Sequence, residues 1–146
     1  MKIAISSDHG GFDLKEQIKH YFDQQKINYV DLGTYSKDSV DYPDFGEKLG
    51  LAVTKEPYDF GIGICGTGIG ISIAANKIHG IRAALVYDEN TGRLAKEHNN
   101  ANIIALGGRT TSREQAIKII NSYMLATFEP RHQPRLDKIK NIEGNE

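Results

Sequence analysis

Asp59-Phe-Gly-Ile-Gly-Ile-Cys-Gly-Thr-Gly-Ile-Gly-Ile-Ser-Ile-Ala-Ala-Asn76 is the stretch that decides the fold. Phe60 to Ile64 is a short apolar run, long enough for a buried strand and too short for a helix. Cys65 follows at the strand's carboxyl end. Gly66, Thr67, Gly68 and Gly70 leave little side chain over a turn, and Ile71, Ile73, Ala74 and Ala75 open a helix. Asn76 to Gly80 should end it, with Gly80 as the C-terminal stop. Ligands of open parallel sheets bind at the carboxyl ends of strands. Glycines there let backbone N–H groups approach an anion, and a helix start adds positive potential. The chain's only cysteine sits at that point, where the same field favours a thiolate.

Three readings of this stretch stay open at this level. It is a tight turn with an inert buried cysteine, or a dinucleotide-binding fingerprint, or an active-site cysteine beside an oxyanion-binding loop. Gly61, Gly63 and Gly66 match G-x-G-x-x-G, but the first two glycines lie inside the strand rather than after it. The nucleoside triphosphate pattern G-x-x-x-x-G-K-[ST] does not occur.

Outward from this unit, strand and helix patterns alternate. Strands are expected at Lys2–Ser6, Asn28–Leu32, Ile81–Val86 and Asn102–Leu106. Helices are expected at Phe12–Gln24, from Tyr42-Pro43-Asp44 onward, at Thr91–Glu97 and from Thr111 or Ser112 to Thr127. A break with two prolines covers Phe128–Pro134, and Leu136, Ile139 and Ile142 mark a short amphipathic C-terminal helix. Five strand–helix alternations predict an α/β fold: a three-layer αβα sandwich, Rossmann-like, with a five-stranded parallel sheet and a C-terminal helix extension. The last helix covers no following strand, so it either closes its own domain or packs on a partner.

The chain's 146 residues suit a single domain, 1–146. A net charge of −1 offers no bulk attraction for nucleic acid or anionic membrane. One cysteine cannot close an internal disulfide, the N-terminus enters a strand pattern directly, and no apolar run approaches a membrane span. The cytoplasm is therefore the expected compartment. No metal-ligand pattern such as H-E-x-x-H or C-x-x-C occurs, and no cofactor is expected.

In a parallel sheet all five carboxyl ends share one edge. The first strand brings Asp8 and His9 there, the third Cys65, Thr67 and the glycine loop, and the fifth Gly107, Gly108 and Arg109. His98 and Asn99 end a helix, which puts them on the opposite edge. If His98 is catalytic, it must serve a neighbouring subunit. Arg131 and Arg135, four residues apart, can present two guanidinium groups to one phosphate.

With these residues laid out, the sequence resembles the type B ribose-5-phosphate isomerase family, which also holds galactose-6-phosphate isomerase subunits. The resemblance rests on Ser7-Asp8-His9-Gly10-Gly11-Phe12, Asp41-Tyr42-Pro43 and the Ile64–Lys77 run. It continues in Gly80-Ile81-Arg82-Ala83, His98-Asn99, Gly107-Gly108-Arg109 and Arg131-His132-Gln133-Pro134-Arg135. It implies metal-independent interconversion of aldose and ketose phosphates through an enediolate. By that resemblance Cys65 is the base moving a proton between C2 and C1. Relatives that lack the cysteine use a glutamate further along the helix, and Ser72, Ile73 and Ala74 provide no carboxylate here. His98 would assist ring opening from the partner subunit. Asp8 and Thr67 would contact sugar hydroxyls, and Gly66, Thr67, Gly68, Ile69 and Gly70 would hold the enediolate oxygens. His9, Arg131 and Arg135 would bind phosphate, with Asn99 and Arg109 lining the site. The resemblance further implies a homodimer, or a tetramer of paired dimers, with sites between subunits. The substrate expected first is ribose 5-phosphate. Galactose 6-phosphate or allose 6-phosphate is the alternative, and a non-catalytic sugar-phosphate sensor is the alternative of a different class.

Overall fold

The structure is a computed structural model describing residues 1–144, so Asn145 and Glu146 of the expected 1–146 domain lie outside the described residues. Among the described residues, five strands form one sheet: β1 (Lys2–Ser7), β2 (Asn28–Asp31), β3 (Phe60–Cys65), β4 (Ala83–Leu85) and β5 (Ile103–Gly107). Every neighbouring pair is parallel, and the order is β2-β1-β3-β5-β4. Six α-helices accompany them: α1 (Phe12–Gln25), α2 (Tyr42–Lys55), α3 (Ile69–Ala75), α4 (Glu89–Glu97), α5 (Arg113–Leu125) and α6 (Gln133–Glu143). This is the expected α/β sandwich with a C-terminal helix.

Alternation along the strands explains the layers. Ile3, Ile5, Ile62, Ile64, Ile104 and Leu106 point to one face and pack with Leu14, Ile18 and Phe22 of α1, Ala95 of α4, and Ala116, Ile119, Ile120 and Tyr123 of α5. The other face is smaller in side chain. Ala4 and Ile103 lie there with Leu49 and Ala75. Cys65 and Ala105 follow, with Ile71 and Phe45. The two strand glycines belong to this packing. A Cβ on Gly61 would lie 3.1 Å from Leu49 Cδ1, and one on Gly63 would lie 3.1 Å from Leu49 Cδ2. Gly61 and Gly63 therefore seat α2 on the sheet, and the dinucleotide reading of Gly61-x-Gly63-x-x-Gly66 falls away. Gly46 continues the seam, because a Cβ there would lie 2.8 Å from Ala74 of α3.

Helix starts and stops follow local chemistry. Asp88 accepts from Thr91 N–H at 2.7 Å, a capping box that begins α4 two residues before the expected Thr91. Ser112 accepts from Gln115 N–H at 3.2 Å and starts α5, which ends at Leu125 rather than Thr127.

As expected, Asn76–Gly80 ends α3: Asn76 caps it, and Lys77 and Ile78 N–H donate to Ala74 and Ala75 carbonyls, so the chain tightens into three-residue turns before Gly80 takes its positive φ of 91°. One strand is corrected: β4 is three residues long, not Ile81–Val86. Ile81 N–H is committed to Ile78 and Arg82 N–H to Asn102 Oδ1, so neither starts the ladder.

α6 contributes Leu136, 7% exposed, to the body, while Ile139 and Ile142 are 44% and 86% exposed. A cleft of about 690 Å³, lined by His79, Gly80, Arg82, Leu136 and Lys140 among others, separates the helix from the turn after α3. Among the described residues no helix is long and apolar enough to cross a membrane.

Candidate active site

The chain runs from β1 outward to β2, then back across to β3. That reversal makes a crevice between the carboxyl ends of β1 and β3, the ordinary ligand position of such sheets. Asp8 follows β1 directly and Cys65 ends β3. Asp8 N–H donates to Ile64 O at 3.1 Å, which locks the two strand ends together. The Asp8 carboxylate is buried and accepts from Gly11 N–H at 3.1 Å, so it caps the 3₁₀ turn His9–Gly11.

Glycines let three loops meet here. A Cβ on Gly11 would lie 2.3 Å from Ile64 O, and one on Gly108 would lie 2.5 Å from Gly10 O. Gly108 N–H donates to Cys65 O at 2.8 Å and Arg109 N–H to Gly66 O at 2.9 Å. The Arg109 side chain then lies along Gly66 and Gly10: its Nη1 is 3.0 Å from the Cβ position at Gly66. This places a cation over the glycine loop.

Cys65 is 4% exposed, and Gly68 N–H donates to its Sγ at 3.2 Å. That donation is possible because Gly68 takes a φ of 80°, turning its N–H back toward β3 as α3 begins. Ile69 N–H is taken by Thr67 Oγ1 at 3.2 Å, so the Thr67 hydroxyl also belongs to the loop's own turn. The exposed ring of Tyr42, at the start of α2, covers Gly70, where a Cβ would lie 2.6 Å from it.

His9 is held by the Gly33–Asp41 loop. Val40 N–H lies 3.1 Å from His9 Nδ1. That loop rests on Lys15, which is fully buried and donates to Asp31 at 2.7 and 2.6 Å and to Thr34 O at 2.7 Å. Burial works against ionisation of Asp31. Hydrogen bonds from Lys15, Lys19 and Gly33 N–H outweigh it and hold the carboxyl below the usual range.

His98, Asn99, Arg131 and Arg135 lie elsewhere. His98 caps the end of α4, four residues before Asn102. Cys65 pairs with Gly107 at the far end of β5. Five strand residues at about 3.3 Å each put the two edges about 16 Å apart. His98 Nε2 lies 3.7 Å from Glu129 Oε1, and its ring packs on His132 with centroids 4.4 Å apart. Arg131 Nη2 is 3.0 Å from Glu129 Oε1, and Arg135 Nη1 is 3.0 Å from His132 Nδ1. The two arginines do not share one regular helical turn, as their spacing suggested. Proline at 130 makes Pro130–His132 a 3₁₀ turn, and Arg135 lies in the first turn of α6. They flank the histidine pair instead. Asn99 is exposed on the same side, over a small cleft with Arg82 and Ile139.

His98, Glu129 and His132 offer ligand atoms within 4.8 Å of one another. Arg131 and Arg135 add two fixed cations beside them, a setting that disfavours a divalent ion. Sequence reasoning passed over Glu129, His132, Lys15 and Tyr42. The signal for His132 was its place between the two arginines. Lys15 carries none, because a lysine in an amphipathic helix reads as solvated.

The sequence profile of the Ribose/Galactose Isomerase family matches residues 3–139. Ribose-5-phosphate isomerase B of Escherichia coli K12 is 41% identical over 143 residues, covering 97% of this chain and 96% of that protein. The solved Clostridium thermocellum ribose-5-phosphate isomerase B superposes with a TM-score of 0.95 at 48% identity, covering 98% of this chain and 97% of that one. The Mycoplasma genitalium ribose-5-phosphate isomerase B structure, which holds ribulose 5-phosphate, superposes with a TM-score of 0.91 at 41% identity over 99% and 97% of the two chains. Family profile, relatives and structures agree along nearly the whole length: the chain belongs to the ribose/galactose isomerase family.

Proposed function

We propose that this protein interconverts ribose 5-phosphate and ribulose 5-phosphate as a homodimer, with Cys65 as the general base. The observation that carries the reading is Cys65 at the β1/β3 crevice, with Gly68 N–H on its Sγ and Arg109 over the glycine loop. A proton alpha to a carbonyl is weakly acidic. Its removal needs a placed base and donors for the oxygen that gains charge. The Cys65 thiolate takes the proton from C2 and returns it to C1, while the Gly66–Gly70 loop and Thr67 hold the enediolate oxygens. Asp8, already capping Gly11, orients a sugar hydroxyl through its second carboxylate oxygen.

The remaining groups come from the second subunit in this reading. His98 assists furanose opening, Arg131 and Arg135 reach the phosphate that His9 of the first subunit also binds, and Asn99 lines the site opposite the first subunit's own Arg109. Phosphate held away from the reacting carbons supplies orientation. Dimerisation is favoured because one chain separates the two sets of groups by the length of a strand. It also leaves Ile69, Ile73, Leu85 and Tyr87 exposed beside the glycine loop and the edge strand. A two-fold axis that sets one chain's Cys65 edge against the other's His98 edge builds two equal sites.

The test is turnover of ribose 5-phosphate by wild type and Cys65→Ala, with chelator present. A loss of about a hundredfold or more, about 2.7 kcal/mol of transition-state stabilisation, is expected. Full activity in Cys65→Ala removes the base assignment. An inactive wild type directs the same assay to galactose and allose 6-phosphates. Unchanged sugar-phosphate binding with no turnover of any of them makes the protein a sensor.

A further inference from the structure

We propose that Glu129 and His132 are positioning residues for His98, an assignment that rests on the ring-opening role given to His98 above. Four observations converge on it. Glu129 N–H donates to Glu97 O at 2.9 Å, so the segment after α5 is tied to the residue just before His98. The His132 ring packs on the His98 ring. Arg135 Nη1 sits 3.0 Å from His132 Nδ1. A guanidinium only donates, so His132 Nδ1 accepts and the ring proton is on Nε2. That Nε2 is buried, has no hydrogen-bond partner, and faces Glu129 Oε1 at 3.4 Å.

The charges agree with this arrangement. Burial, and then Arg131, His98 and Arg135, push His132 below the usual histidine range, so it stays neutral near pH 7. Desolvation opposes ionisation of Glu129, but Arg131, His98 and His132 hold its carboxyl below the usual range, so it stays anionic. On α4 the charged groups nearest His98 in sequence are Lys96 and Glu97, and Glu97 is paired with Arg93 at 2.6 Å. Glu129 is thus the anion that faces His98, at 3.7 Å from its Nε2. Such contacts are long in a free enzyme and tighten around substrate.

The consequence is a tautomer. A carboxylate at Nε2 keeps the proton there and leaves the lone pair on Nδ1, as the buried aspartate does for the histidine of a serine protease triad. Ring opening breaks the bond between C1 and the ring oxygen. One proton leaves the C1 hydroxyl and one reaches the ring oxygen. His98 Nδ1 takes the first, and the imidazolium so formed returns a proton to the ring oxygen as the C1–O bond breaks, so His98 ends neutral. His132, held by Arg135, packs on the His98 ring and shares Glu129 Oε1 with Arg131, whose Nη2 lies 3.0 Å from that oxygen.

The experiment compares Glu129→Gln, His132→Asn, His98→Asn and the double variant Glu129→Gln/His98→Asn. Two readouts are taken: net conversion of ribose 5-phosphate, and deuterium exchange from solvent into C1 of ribulose 5-phosphate. The exchange uses an open-chain sugar and needs no ring opening. Glu129→Gln should slow conversion by about thirtyfold and C1 exchange by less than about threefold. It should leave KM within about twofold, and add nothing in the His98→Asn background. Glu129→Asp should restore part of the rate. Equal loss in both readouts, additive loss on His98→Asn, or an unchanged rate overturns the proposal while a slow His98→Asn keeps the ring-opening reading. A His98→Asn enzyme with full conversion overturns both. Loss of conversion and exchange in Cys65→Ala still stands apart as the mark of the base.

Discussion

The two edges of the sheet carry the two halves of the proposed site, and they are built differently. The Cys65 edge is made of backbone: Asp8 to Ile64, Gly108 to Cys65, Arg109 to Gly66 and Gly68 to Sγ are all main-chain donors. Its glycines touch neighbouring carbonyls, and a fully buried lysine supports the adjoining loop. The His98 edge is made of side chains on helix ends. Arg131 and Glu129 are 66% and 41% exposed in their side chains, and α6 meets the body through Leu136. Geometry at the first edge is therefore coupled to folding. At the second it depends on charges that a partner and a substrate can rearrange. A base must sit within a fraction of an ångström of its carbon, whereas groups that receive a mobile phosphate tolerate movement.

The sharpest way to break this contrast is Gly11→Ala. Its Cβ would enter the Ile64 carbonyl at 2.3 Å, so stability should fall by about 4 kcal/mol or more, read from the urea midpoint. A stable Gly11→Ala protein would mean the Cys65 edge is softer than its contacts say.

Lys15→Met comes next. It leaves the part-buried Asp31 with Lys19 and Gly33 N–H as its remaining partners, and should cost about 3 kcal/mol. The same pair predicts a pH response. The folded-state pKa of Asp31 is depressed, so its contribution is complete above the unfolded value of about 3.9 and is lost as pH falls through the folded value. Acid titration of stability should show wild type and Asp31→Asn converging below about pH 4; a constant gap down to pH 2 would contradict the sign.

Arg131→Ala and Arg135→Ala should leave stability within about 0.5 kcal/mol, because both side chains are exposed. Each should raise KM for the sugar phosphate about tenfold, with kcat less affected, and weaken inhibition by inorganic phosphate. A stability loss as large as that of Lys15→Met would erase the distinction between the edges.

The strand–turn–helix at Phe60–Ala75 was legible because β3 is apolar on both faces and its glycines fall where only backbone fits. The positions of Asp8, Cys65 and Arg109 followed from parallel strands sharing one carboxyl edge, and His98 was assigned to the other edge on the same ground. The sheet order was not legible, since β4 and β5 have similar patterns and nothing local says which pairs with β3. Nor was Lys15, whose burial depends on Asp31 and Thr34 arriving from another element.

The sequence by itself determined the alternation of elements, the crevice-forming loops and the family, because periodicity and glycine placement act over a few residues. Only the tertiary structure decided that Glu129 and His132 close around His98 and that Lys15 is buried under the loop holding His9. Those facts depend on contacts between residues far apart in sequence, where pairing of charges and desolvation are settled by the fold and not by neighbours along the chain.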